Sequence, residues 1–187
     1  MALTLITTET ISSAVGEVDF ISGITSAYSA IEFHCYNIHP VEYGEHFGFQ
    51  VNCSSGNTSG FDNIITSNFH DAWQSESGSS PNAVYQPSYD QAEGTGLQYL
   101  AISLGGGDPD TPDADAIAAG ILTLYDPTNV DTMTHFISRF PNHYREGYLM
   151  DHHCAGYINA EEPIDEVRFQ MTSGDIETCI IKMFGVS

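Results

Sequence analysis

Four aspartates, Asp108, Asp110, Asp113 and Asp115, crowd one Gly- and Pro-containing loop and could offer the hard carboxylate oxygens that calcium prefers. Their spacing departs from an EF-hand, because prolines stand where that loop must turn and no bidentate Glu follows at the required distance. A solvated acidic turn explains the same residues, so calcium is a candidate only and no cofactor is assigned. Asp151-His152-His153-Cys154 is the densest set of transition-metal ligands in the chain. On a strand His152 and Cys154 would share one face while His153 turned away, and a site would have to borrow His34, His39 or His143 from elsewhere. With no second clustered pair, scattered histidines explain the pattern better and no metal is assigned. The acidic pairs Glu161/Glu162 and Asp165/Glu166 resemble acid and base partners only superficially, since adjacent residues rarely converge on one substrate. There is no G-x-S-x-G elbow, P-loop or dinucleotide fingerprint, and the chain is expected not to be an enzyme.

The aromatics carry more promise. Trp73, Tyr85, Tyr89, Tyr144 and Tyr148, with His143 beside them, fall in segments that read as loops. Such rings serve protein interfaces and stack on sugars, because each presents a flat apolar face and a polar edge. They could equally cap the ends of a packed sheet.

Those side chains need a scaffold, and period-two alternation dominates the chain. Leu3 to Thr8 reads as a first strand and Val18 to Ile21 as a second; residues 1 to 20 read either as that start or as an extended arm. Ile31, Phe33 and Cys35 alternate with Glu32 and His34 within Tyr28 to Ile38, and Phe47, Phe49 and Val51 share a face within Phe47 to Cys53. Asp62 to Glu76 reads equally as a short helix or a strand, since Asn, Thr and Ser weaken a helix. Ser77 to Gly96 is polar and turn-rich, a long excursion of the kind that carries contacts. Leu97 to Leu104, Ile117 to Tyr125, Thr132 to Phe140 and His152 to Asn159 follow as strands. Val167, Phe169 and Met171 face one way in the penultimate strand, and Cys179, Ile181 and Met183 in the last, the two joined in hairpin fashion by Thr172-Ser173-Gly174-Asp175. Short strands with turn signals and almost no helix predict a single-domain all-β antiparallel sandwich over residues 1 to 187, in jelly-roll topology.

Composition narrows the partners. At 187 residues the chain can bury roughly 70% of its unfolded surface, enough for a core without staples. Its four cysteines, Cys35, Cys53, Cys154 and Cys179, are too scattered for a disulfide framework and contain no C-x-x-C pair; Cys35 and Cys179 lie within strand patterns and read as core. Twenty-five acidic residues against four basic ones give a formal charge of −21, which repels phosphate backbones and argues against nucleic acid. No apolar run is long enough for a membrane helix and the start lacks a basic signal region, so synthesis in a cytoplasm is expected.

The ending carries a resemblance. Val167-Arg168-Phe169, Thr172-Ser173-Gly174-Asp175 and Ile181-Lys182-Met183-Phe184-Gly185-Val186 are similar to the C-terminal signature of small virion proteins of tailed bacteriophages, especially marine ones. In that signature a strand, an SSGN-like turn and a strand ending in Leu-Tyr-Gly close the chain; Asp175, Met183 and Phe184 depart from it mildly. Ile121 to Pro127 resembles the pattern more weakly. The resemblance implies a structural virion protein, foremost a jelly-roll decoration or cement protein on the capsid exterior, contacting the major capsid protein as a homotrimer. The alternative it leaves is a carbohydrate-binding module of a tail fibre or spike, with Trp73 and the tyrosines stacking on host glycans.

Overall fold

A computed structural model describes residues 2–53, 60–79, 81–105, 107–108, 111–112, 116–144 and 147–187, with 107–108 and 111–112 described by their backbone alone. The strands are β1 (Leu3–Ile11), β2 (Glu17–Phe20), β3 (Ala30–Pro40), β4 (Phe47–Cys53), β5 (Ile65–Ser75), β6 (Asn82–Tyr85), β7 (Gln98–Ala101), β8 (Gly107–Asp108), β9 (Thr111–Pro112), β10 (Ala118–Tyr125), β11 (His135–Tyr144), β12 (Tyr148–Ile158), β13 (Ile164–Met171) and β14 (Ile176–Val186). One turn of 3-10 helix, Pro87–Tyr89, is the only helix among the described residues, and none there is long and apolar enough to cross a membrane. The segment 62–76, open between helix and strand from its sequence, is strand β5. Its weak helix formers decide nothing by themselves, and an eleven-residue ladder with β12 settles the conformation.

Two antiparallel sheets face each other, one in the order β1-β14-β3-β10-β11-β12-β5-β6 and the other β2-β13-β4-β7. The four strands β1-β14-β3-β10 and the four strands β2-β13-β4-β7 interleave in the order of a jelly roll, confirming the expected sandwich. Two insertions enlarge it. β5, β6 and the 3-10 turn leave the chain between β4 and β7, β11 and β12 leave it between β10 and β13, and both add to the β10 edge of the larger sheet. The larger sheet therefore extends beyond the smaller one, which matters for the site below.

The terminal strands do not form a hairpin. β13 pairs with β2 and β4 in the small sheet, whereas β14 pairs with β1 and β3 in the large one, so Thr172-Ser173-Gly174-Asp175 is a corner between sheets. Alternation alone cannot distinguish the two, since each strand buries one face either way. Glu45 holds the corner: Thr172 Oγ1 donates to its carboxylate, and Ser173 donates through its backbone N at 2.7 Å and its Oγ at 3.1 Å. Gly174 takes a φ of +64°, which a side chain would disfavour. Of the amino-terminal residues, Leu3–Ile11 form β1, the edge strand of the large sheet beside β14.

The core lies between the sheets and is built from phenylalanines at inward positions. Phe33 on the large sheet meets Phe169 on the small one edge-to-face at 5.2 Å, and Phe136 meets Phe49 likewise at 5.1 Å. Such pairs add about 0.5–1.5 kcal/mol each beyond the area they bury. All four cysteines are free and buried in this interior, including Cys53 and Cys154. In β3 the alternation breaks after Cys35, where Asn37 adopts a φ of +52° and the ladders to β14 and β10 slip, as at a β-bulge.

Candidate functional site

Where the large sheet runs past the small one, its inner face forms the floor of a cleft of about 450 Å³. Strand pairing decides which side chains floor it. Opposite residues on β12 and β5 include Met150 and Trp73, and one step inward His152 and Asp71; Tyr144 and Tyr148 are the last cross-strand pair of β11 and β12. Because side chains alternate across a strand, Asp71 and Trp73 project to the same face. The facing wall is the chain that follows β6, residues 86–105, which contributes Gln86, Tyr89, Ile102 and Ser103. The edge strand β7 packs across β11 and β12, and so brings that segment over the extended sheet.

At the back of the cleft lies a buried hydrogen-bonded chain. His152 is fully buried, and burial pushes its pKa down to about 3, so its imidazole is neutral. Its Nε2 donates to Asn142 Oδ1 at 2.8 Å, and Asn142 Nδ2 donates to the Ile102 carbonyl at 3.2 Å, tying the facing wall to the sheet. The other ring nitrogen, Nδ1, stands 3.8 Å from Asp71 Oδ1. Neither of these two atoms has a hydrogen-bond partner among the described residues. Asp71 Oδ2 accepts a bond from Gln86 Nε2 at 2.7 Å, yet burial outweighs that bond and raises the carboxyl pKa. The Tyr89 hydroxyl is also pushed up, first by burial and then by the charge of Asp71.

Trp73, Tyr89, Tyr144 and Tyr148 thus come together on one cleft. Three of them belong to strands or strand ends rather than loops, which is a correction: Trp73 lies in β5, Tyr144 ends β11 and Tyr148 opens β12, and the ladders between these strands, not local composition, set their conformation. Tyr85 is separate. It lies on β6 across from His70, its ring centroid 5.2 Å from that imidazole, and its hydroxyl donates to Asp90. Asp71, Gln86, Ile102, Ser103 and Met150 escaped notice in the sequence. Asp71 was within reach, because an Asp two residues before Trp73 shares its face once the segment is a strand; the residues of the facing wall left no local signal.

The Asp151-His152-His153-Cys154 run divides as a strand requires: His152 and Cys154 point inward, while His153 is outward and lies 3.2 Å from Asp151. His34 is engaged with Glu32 and His39 with Glu177, each at 2.7 Å, and no cluster of three or more His, Cys, Asp or Glu side chains suited to a metal occurs among the described residues. Of the calcium candidates, Asp110, Asp113 and Asp115 lie outside the described residues, as does the side chain of Asp108, whose backbone forms β8. Glu166, one of the sequence's acidic pairs, accepts a bond from Asn52 Nδ2 at 3.0 Å on the small sheet, away from the cleft.

No protein-family model, curated protein or solved structure matches this chain. What the cleft can do must be argued from its own atoms. His152 is committed through Nε2 to Asn142, and among the described residues no serine or cysteine is hydrogen-bonded to it, so the Asp71/His152 pair lacks the nucleophile of a catalytic triad. The arrangement offers flat aromatic walls, a buried acceptor and a facing amide: equipment for holding a ligand.

Proposed function

We propose that the chain is a carbohydrate-binding jelly roll that holds a sugar residue in the cleft between β5, β11, β12 and the 86–105 segment. The observation that carries this is the convergence of Trp73, Tyr89, Tyr144 and Tyr148 on one cavity together with Asp71 and Gln86. Pyranose rings present apolar faces that stack on aromatics and a rim of hydroxyls that needs paired acceptors and donors, and the cleft supplies both. Together with the likeness of the C-terminal segment to virion proteins, this supports a role in host recognition on a tail fibre or spike. Binding to a glycan array, followed by calorimetry on the hits, tests it. Trp73→Ala should abolish detectable binding while the far-ultraviolet circular dichroism stays that of the parent; unchanged affinity in a folded variant would overturn the assignment.

A second reading, a decoration protein bridging capsomers on the capsid exterior as a homotrimer, draws support from a different surface. Ile121, Tyr125 and Ile137 are 41%, 43% and 48% exposed on the outer face of β10 and β11. The edge of β1, which pairs with no further strand among the described residues, also presents Leu3 and Leu5 to solvent. Edge strands and apolar strips are what a lattice contact would use. Copy number in purified virions decides this reading: hundreds per particle support it, and a few at the tail exclude it.

A further inference from the structure

We propose that the deep end of the cleft binds a protonated amine, and that the sugar it takes is accordingly an amino sugar whose ammonium group rests on Asp71. The inference deepens the carbohydrate reading and rests on it for the sugar, though not for the ammonium. Two acceptor atoms, Asp71 Oδ1 and His152 Nδ1, face each other at 3.8 Å with no hydrogen-bond partner among the described residues. The imidazole is neutral and its only N–H is already given to Asn142, so Nδ1 can only accept. A pair of facing acceptors calls for a donor with at least two hydrogens. A sugar hydroxyl has one, whereas a primary ammonium has three.

Charge points the same way. Among the described residues lining the cleft, Asp71 is the one charged side chain and none is Lys or Arg; the neutral His152 is buried beside Asp71 and adds no positive charge. A cation entering beside Trp73 and the tyrosines gains from ring faces as well as from the carboxylate. Gln86, held to Asp71 Oδ2, orients the carboxylate and leaves Oδ1 without a partner among the described residues. The formal charge of −21 would also draw a cationic oligosaccharide to the protein.

The test is calorimetry of the whole chain with three matched oligosaccharides, glucosamine, N-acetylglucosamine and glucose trimers, and with ethylammonium as the free cation. The glucosamine trimer should bind about tenfold or more tightly than either neutral trimer, and Asp71→Asn should erase that preference. Equal binding of all three trimers would overturn the ammonium site while leaving the carbohydrate reading intact. Ethylammonium binding with no trimer bound would uphold the ammonium site and overturn the carbohydrate reading. Binding of none would overturn both. The ligand series on the parent chain decides the question even if Asp71→Asn fails to fold.

Discussion

Burial of His152 should make this fold acid-sensitive through a single side chain. In the folded chain its pKa is pushed down to about 3 from an ordinary 6.5, so in the window between these values the unfolded chain takes up a proton that the folded chain refuses. Stability then rises with pH across that window: the contribution is lost progressively as pH falls below 6.5 and levels off near 3. At pH 4.5 the loss relative to pH 7.5 is about 2.7 kcal/mol, from roughly two pH units at 1.36 kcal/mol each. With an unfolding entropy of about 2.1 cal/mol/K per residue, this corresponds to about 7 °C in Tm for the whole chain. Many carboxylates titrate over the same range, so the informative quantity is the difference between the parent and His152→Gln, whose amide can still donate to Asn142. Guanidinium unfolding at pH 7.5, 6.0 and 4.5 should show the advantage of the parent shrinking by about 2.7 kcal/mol as pH falls. Asp71 acts with the opposite sign, since its raised folded pKa costs stability as pH climbs through it, and repeating the pair in an Asp71→Asn background removes that contribution. A parent-minus-variant difference that stays flat from pH 7.5 to 4.5 would refute a neutral, desolvated His152.

Two further expectations follow from the corner between sheets and from the core. Glu45→Ala should lower stability by about 1–3 kcal/mol, because it strips the acceptor from Thr172 and from both donors of Ser173, whereas Glu45→Gln should lose less; equal denaturation midpoints for parent and Glu45→Ala would show that the corner holds without it. Burial pushes the thiols of Cys53 and Cys154 up to about 12 and that of Cys179 to about 11, with Cys35 raised as well. Ellman's reagent at pH 8 should therefore leave the native protein unlabelled over the minutes in which all four thiols react in guanidinium, and prompt labelling of the native chain would contradict their burial.

Much of the scaffold was legible in the residues. Phe47 to Cys53 is a strand with the boundaries its alternation predicts, and the inward faces of β3, β13 and β14 are the ones that Phe33, Phe169 and Ile181 mark out. That follows because a half-buried strand writes its pattern at a spacing of two residues, a local property. The segment 62–76 was ambiguous because its intrinsic preferences are weak, and only the ladder to β12 chose. The site was partly legible too. The ring-bearing residues Trp73, Tyr89, Tyr144 and Tyr148 stood out by type, yet nothing local separated them from Tyr85, which faces the other side of the sheet.

By itself, then, the sequence determined an all-β chain with one buried face per strand, a strongly acidic surface and a small set of rings able to contact a ligand. Tertiary structure decided the rest. It sent β13 and β14 to opposite sheets, which strand alternation cannot express because both choices bury the same faces. It also set Asp71 opposite His152 and lowered Gln86 and Tyr89 onto them from the far wall, through pairings between residues distant in the chain. A cleft is made by the overhang of one sheet beyond the other, and that overhang exists only once both sheets are assembled.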